Sequence, residues 1–423
     1  MSKDNIFLEN FTLKTITFVL SILVALNVAA YSADVALNGK LNTWAATTTN
    51  TIDKDSDASD SVGYLYVLGE MNTTVKIAEN IKVVLEIELN DKVSDGASMK
   101  NGVKYTGGNG GPTPATVEVD EMYLLIDEFL MDALSVKIGS QRLEYSLRNN
   151  RRSMVINSDF TAFKGKFKFE KGFLDLFYGK KTESLQSINT SSDADIAGIH
   201  AEFNFNENIH VIGYINYAFM DNSGADHSNV GTIGAGVQYF LLDKSLELYG
   251  EIAFQFGDVD EDTSRSGLGA DLGARWTFKE LGSLKNLFIE LNLGYRSGED
   301  NDTDSSSFWN KWALSAGTLL AEGRYASESP LYQAYVDDNY LAIRLETGVN
   351  WSDSISSNLT LAYYDRTDED ADPYGVEVDL SNKYKYSENV SFNGHLAVFL
   401  PDDGLAADGD TIFAIALETV VVF

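Results

Sequence analysis

The sequence predicts an all-β fold, a transmembrane antiparallel up-and-down β-barrel of about eighteen strands, and three observations carry that prediction. Apolar and polar residues alternate with a period of two along much of the chain, as in strands with each face in a different environment. The alternating segments run to roughly 10–13 residues, the reach of a tilted strand crossing a bilayer, against ~5–6 for an average soluble strand. The connectors alternate short and long, as in a barrel with tight turns at one rim and loops at the other.

Composition narrows the function classes. The 423 residues include 32 Lys+Arg against 63 Asp+Glu, a formal charge of -31. So acidic a surface repels phosphate and argues against nucleic acid as a partner. With no Cys there is no disulfide framework, thiolate nucleophile or Cys-based zinc site. At 44% hydrophobic and 12% aromatic residues the chain has apolar surface enough to order itself. No Pro-rich or Gly/Ser-rich linker divides it, so residues 34–423 read as one barrel.

The segments before the barrel and at its end fit export. Lys3 and Lys14 precede an apolar run from Ile16 to Ala30, followed by the small residues Ser32 and Ala33. That order of parts is a secretory signal peptide, residues 1–33, and the run falls short of the ~20 residues of a membrane-spanning helix. The last strand, Thr411–Phe423, sets Phe413, Ile415, Leu417, Thr419, Val421 and Phe423 against Ala414, Ala416, Glu418, Val420 and Val422. A terminal strand ending on an aromatic residue resembles that of Gram-negative outer-membrane barrels, with Phe423 as the signal read by the insertion machinery. The expected location is therefore the bacterial outer membrane, with outer-membrane lipid and lipopolysaccharide around the barrel.

Between these ends the strands start near Asp34, Ser61, Lys82, Thr116, Leu134, Phe160, Gly172, Ala194, Asn208, Gly231, Leu246, Gly267, Leu287, Asn339, Asn358, Tyr374, Val390 and Thr411. Sixteen strands result if one hairpin is divided too finely. Lys82–Asn90 sets Val83, Leu85, Ile87 and Leu89 against Val84, Glu86, Glu88 and Asn90. Asn339–Trp351 sets Leu341, Ile343, Leu345 and Val349 against Arg344, Glu346 and Gly348. Aromatics near segment ends, such as Tyr239, Phe240, Trp276, Phe278, Tyr384 and Tyr386, suit the membrane interfaces. Glu170-Lys171, Asn206–Asn208, Asp243-Lys244 and Glu388-Asn389 are short connectors, whereas Asp91–Ala115 and Gly298–Val336 are long.

A barrel this wide encloses water, and its polar faces must turn inward because lipid tolerates charge poorly. The clearest basic stripe is Lys164, Lys166 and Lys168, alternating with Phe163, Gly165, Phe167 and Phe169. Lys137, Arg275, Arg296, Arg344 and Arg366 also fall on polar faces, as do the acids Glu247, Glu251, Glu290 and Glu346. Partial segregation by strand predicts a basic wall and an acidic wall, acting as a selective constriction or as a salt-bridge network that holds the barrel's shape. The loop Gly298–Val336 is the expected plug, through Phe308, Trp309 and Trp312.

The segment Leu134–Tyr145, then Arg148–Arg152 and Phe160–Phe169, resembles the alginate-export family of outer-membrane barrels, with its Gly-Arg-Gln strand, loop and Phe-Asp-Gly strand. Tyr295–Asp304, with Phe308 beyond, resembles that family's late strand and large loop. Ser140 stands where the family has Arg, and Lys164 where it has Asp. The resemblance implies an eighteen-stranded barrel with an Arg/Lys-lined path for a polyanionic polysaccharide.

The expected function is passive passage of hydrophilic, anionic solutes or polysaccharide. A general diffusion porin for small hydrophilic solutes is the alternative, and an adhesin or structural barrel acting through its loops is a second. Acid clusters at Asp53–Asp60, Asp258–Asp262, Glu299–Asp304 and Asp368–Asp372 could take Ca²⁺, though none has the spacing of a defined calcium loop; no other cofactor is expected. Catalysis is not expected, because none of the four His residues has a motif that marks a nucleophile beside it.

Overall fold

The computed structural model describes residues 34–49, 62–94, 98–100, 103–105, 116–145, 147–148, 156–182, 194–221, 227–258, 264–298, 318–320, 336, 339–368, 371–403 and 410–423. Residues 1–33, the expected signal peptide, lie outside them.

Eighteen long strands follow one another: β1 Asp34–Thr49, β2 Val62–Ala78, β3 Ile81–Ser94, β4 Thr116–Ile126, β5 Leu134–Glu144, β6 Asn157–Phe169, β7 Gly172–Thr182, β8 Ala194–Asn206 and β9 Ile209–Asp221 complete the first half. The second half is β10 His227–Leu241, β11 Leu246–Asp258, β12 Leu268–Leu281, β13 Leu284–Arg296, β14 Tyr340–Asn350, β15 Ile355–Arg366, β16 Gly375–Lys385, β17 Val390–Pro401 and β18 Ile412–Val422. Three short pieces, Ser98–Lys100, Val103–Tyr105 and Ser264–Arg265, belong to connectors. Every long strand pairs antiparallel with its chain neighbours, and β18 pairs back to β1 from Lys40↔Val422 to Thr49↔Phe413. The sheet closes on itself as an eighteen-strand barrel, which leaves no unpaired edge. The up-and-down order puts the short turns 79–80, 170–171, 207–208 and 282–283 at one rim.

At the closing seam, the Gly39 N–H donates to the Phe423 carbonyl (2.9 Å) and the Phe423 N–H donates to that of Gly39 (3.0 Å). The Phe423 ring lies across Gly39, where a Cβ would stand 2.5 Å from it. Glycine here lets the terminal aromatic cover the first strand.

Alternation sorts the two faces. On β14, Tyr340, Ala342, Arg344 and Glu346 are buried while Leu341, Ile343 and Leu345 are exposed. The exposed face is apolar all round the barrel, with Ile199, Ile215, Ile233, Ile252, Leu272 and Leu417 among its residues. In lipid that face needs no protein cover, and backbone polar groups are satisfied within the sheet. The buried core lies inside the barrel, where loops dock on the inner wall. Leu319, Leu320 and Val336 of the β13–β14 loop pack with Trp44, Tyr340, Tyr364, Phe399 and Ile412. Tyr145, Leu147 and Ile156 of the β5–β6 loop pack with Phe160, Phe177, Ile212 and Tyr249. These two docking areas, around β17 and around β8–β9, are eight or nine strands apart, on opposite walls.

Candidate functional site

The barrel interior is the candidate site, and register fixes which side chains enter it. Directly paired residues share a face, so one inward residue places its partners around the wall. From Glu247 the ladder passes to Arg275, then Glu290, then Glu346. From Gly273 it passes to Asn292 and Arg344, and from Gly269 to Arg296; Tyr340 pairs with Arg366. All four arginines singled out from the sequence therefore face inward, as do Glu247, Glu251, Glu290 and Glu346.

These charges are interleaved rather than gathered into separate walls. Arg275 approaches Glu290 (3.5 Å) and stacks on Phe288 (3.6 Å to the centroid). Arg296 pairs with Asp271 (3.0 Å), Arg344 donates to the Asn292 Oδ1, and Arg366 pairs with Asp368 (2.6 Å). Alternation assigned each residue's face, but partnership depends on the stagger between strands, which a single strand's pattern does not contain.

The lysine stripe of β6 also faces inward. Lys164 and Lys166 converge on the buried carboxylate of Asp175 on β7 (3.9 and 3.7 Å), with Lys166 over the Phe173 ring (3.5 Å). Lys137 pairs in register with Lys164, meets Glu121 (3.8 Å) and lies over Tyr123 (3.5 Å). Lys168 reaches Asp127 in the β4–β5 turn (3.7 Å). Burial raises the Asp127 carboxyl, but the Ser135 hydrogen bond and the Lys168 and Lys82 charges outweigh it and hold it below its ordinary 3.8. Arg142, by contrast, lies on the outer face near the loop end of β5, pairs with Asp159 (3.1 Å), and its side chain is about half exposed.

Two loops cross into this interior. Arg148, from the β5–β6 loop, meets Glu247 (2.7 Å) and Glu290 (2.9 Å) and lies over the Tyr249 ring (4.2 Å). Burial alone would lower the guanidinium, but the hydrogen bond and charge of Glu290 and the charge of Glu247 raise it, so it stays ionised. Tyr249 donates to Glu290 (2.7 Å) and accepts from Asn292 (3.0 Å), which fixes the carboxylate that receives Arg148. From the longest loop, the Leu319 N–H donates to Asp379 (2.9 Å), the Leu320 N–H to Glu377 (2.7 Å), and the Thr318 hydroxyl meets the Tyr364 hydroxyl (2.8 Å). Phe308, Trp309 and Trp312 lie outside the described residues; the parts of that loop described inside the barrel are 318–320 and Val336. Neither Arg148 nor Asp175 was singled out for the lumen from the sequence. For Asp175 the signal was there, an acid flanked by Leu174 and Leu176 on the face opposite them.

No family model matches the sequence, and no curated protein does. Solved structures do match in shape. OccK5 (OpdH) of Pseudomonas aeruginosa superposes with a TM-score of 0.58 at 9% identity, covering 92% of this chain and 98% of that one. OccAB4 of Acinetobacter baumannii gives 0.59 at 10% identity, covering 92% and 98%. OprD of Pseudomonas aeruginosa gives 0.56 at 12% identity, covering 92% and 95%. These neighbours are outer-membrane porins. At such identities the likeness is one of fold, and it extends over nearly the whole barrel. Among the described residues no group of three or more His, Asp or Glu is placed to hold a metal ion, and most of the acidic loop clusters lie outside those residues.

Proposed function

We propose that this protein is a passive channel of the bacterial outer membrane for small hydrophilic solutes. One observation carries the reading: a closed wall of eighteen strands is apolar on its outer face and charged on its inner face. A wall of this size encloses water and needs only a gradient to pass solutes. The shape likeness to substrate-specific outer-membrane channels supports the same class rather than an enzyme.

Within that class, the stripe Lys164, Lys166 and Lys168 favours anions, because three cations on one strand converge on only two carboxylates, Asp175 and Asp127, the latter also met by Lys82; Lys137 lies nearer the acids Glu121 and Glu86. The arginines of β12–β15 come with partners and contribute less net field. An alginate-like polyanion draws support from the lysine stripe and the motif resemblance alone, and a general diffusion porin fits the wall about as well. Phe423 at the seam fits the part of an insertion signal, with lipid and lipopolysaccharide contacting the outer face.

Reversal potential across a planar bilayer in a salt gradient tests the charge reading. The wild-type channel should prefer anions, and K164E, K166E and K168E together should move the potential toward cation preference. An unchanged potential would remove the lysine stripe as selector.

A further inference from the structure

We propose that His210 sets how strongly the lumen prefers anions, by taking up or giving up a proton beside Glu202 at the turn-side mouth. The proposal deepens the channel reading and rests on it. Among the histidines whose side chains are described, His200 and His395 are buried, whereas His210 keeps 18% of its side chain exposed. Its place follows from the turn at 207–208. It is the second residue of β9, on the face that carries Ile212 and Tyr214 into the barrel.

The imidazole Nε2 lies 3.4 Å from the Glu202 carboxylate, and among the described residues it is the one cation-forming group within ion-pair distance of that acid. In register, Lys168 of β6, Phe173 of β7 and Glu202 of β8 occupy one rung of the inner wall. At the spacing of neighbouring strands, Lys168 and Glu202 stand roughly 10 Å apart, about one Debye length in 0.1 M salt. Lys166 lies between them, over the Phe173 ring (3.5 Å). An unneutralised Glu202 therefore acts directly against the field of the lysine stripe.

The other groups around the pair come with their own partners. His200 of β8 is stacked on Tyr145 (4.1 Å). Lys164 and Lys166 face Asp175 of β7 (3.9 and 3.7 Å). His210 is flanked in register by the neutral amides Asn204 of β8 and Gln238 of β10. Gln238 gives its NH₂ to Glu247 of β11 (2.8 Å), a carboxylate that also holds Arg148 (2.7 Å). Glu202 alone among these acids depends on a histidine for its counter-charge. A protonated His210 neutralises it and leaves the stripe to act on solutes, whereas a neutral imidazole leaves the carboxylate charge standing. The change falls between about pH 5 and about pH 8, where no other side chain changes charge at its unperturbed pKa.

Reversal potentials in a potassium chloride gradient, recorded in planar bilayers at about pH 8 and about pH 5.5, test the proposal. Acidification should shift the wild-type potential toward the chloride limit. His210→Gln, neutral at both values, should lose that shift and stay near the wild-type alkaline potential. His210→Arg, cationic at both, should stay near the wild-type acid potential. Glu202→Gln should be more anion-selective than wild type at the alkaline value, and decides the matter if neither His210 variant folds. A wild-type potential that does not move, a shift of wild-type size in His210→Gln, or a Glu202→Gln potential equal to wild type at about pH 8 would overturn the proposal while the channel reading stands. Absence of current at both values would remove the channel reading, and the proposal with it.

Discussion

Arg148 shows how one residue outside the regular wall can set the charge inside it. Its guanidinium is about 5% exposed and engages two carboxylates that other strands hold in place. Breaking such a buried pair from one side typically costs ~3–5 kcal/mol, because the remaining charge is left uncompensated. Arg148→Ala should therefore free the β5–β6 loop and leave Glu247 and Glu290 with less neutralisation; single-channel recording should show higher conductance and a shift toward cations. Asp127 gives a pH prediction at the same scale. Its folded-state value lies below 3.8, so its contribution is present above that value and is lost as the pH falls through the folded one. Refolding titrations at stepped pH should show the wild type losing its advantage over Asp127→Asn in that acid range and keeping it near neutrality.

Strands were the level at which the sequence was most readable. Long two-residue alternation fixes both the existence of a strand and its apolar outer side, so the expected starts at Thr116, Leu134, Gly172, Ala194, Leu246 and Val390 coincide with observed ones. Phe160 and Leu287 fall three residues inside their strands, because the leading residues there, Asn157–Asp159 and Leu284–Asn286, do not alternate cleanly. Loops carry no such periodicity, and neither the entry of Arg148 nor the docking of Leu319 and Leu320 could be read from spacing. Glycines give a sharp test of strand packing. Gly39→Leu would collide with the Phe423 ring and the Glu70 carbonyl, 2.5 and 2.8 Å from a new Cβ, whereas at Gly69 the nearest atom is 3.5 Å away. Cold-gel mobility after heating in detergent should show Gly39→Leu losing its folded band at lower temperature than wild type, with Gly69→Ala close to wild type.

For the whole molecule, the decisive property is which environment each face meets. Closure through β1 and β18 makes inside and outside unambiguous, and the two docked loops reach the lumen from opposite walls. Composition foresaw this only in outline: the excess of acid over base argued against nucleic acid, and the sequence allowed a salt-bridge network, but it did not say which carboxylate each lumen arginine would meet. Because the chain contains no Cys, each thiol introduced into it reports alone. The most direct measurement is therefore thiol accessibility along β14 and β15 in reconstituted membranes, using a charged, membrane-impermeant reagent. Asn350→Cys, Ser356→Cys and Asn358→Cys, part-exposed on the inner wall, should react from the aqueous lumen, whereas Ile343→Cys, Leu345→Cys and Leu361→Cys should react only with a lipid-soluble reagent. Equal reaction at both sets, or the reverse order, would contradict a water-filled barrel with a lipid-facing outer wall.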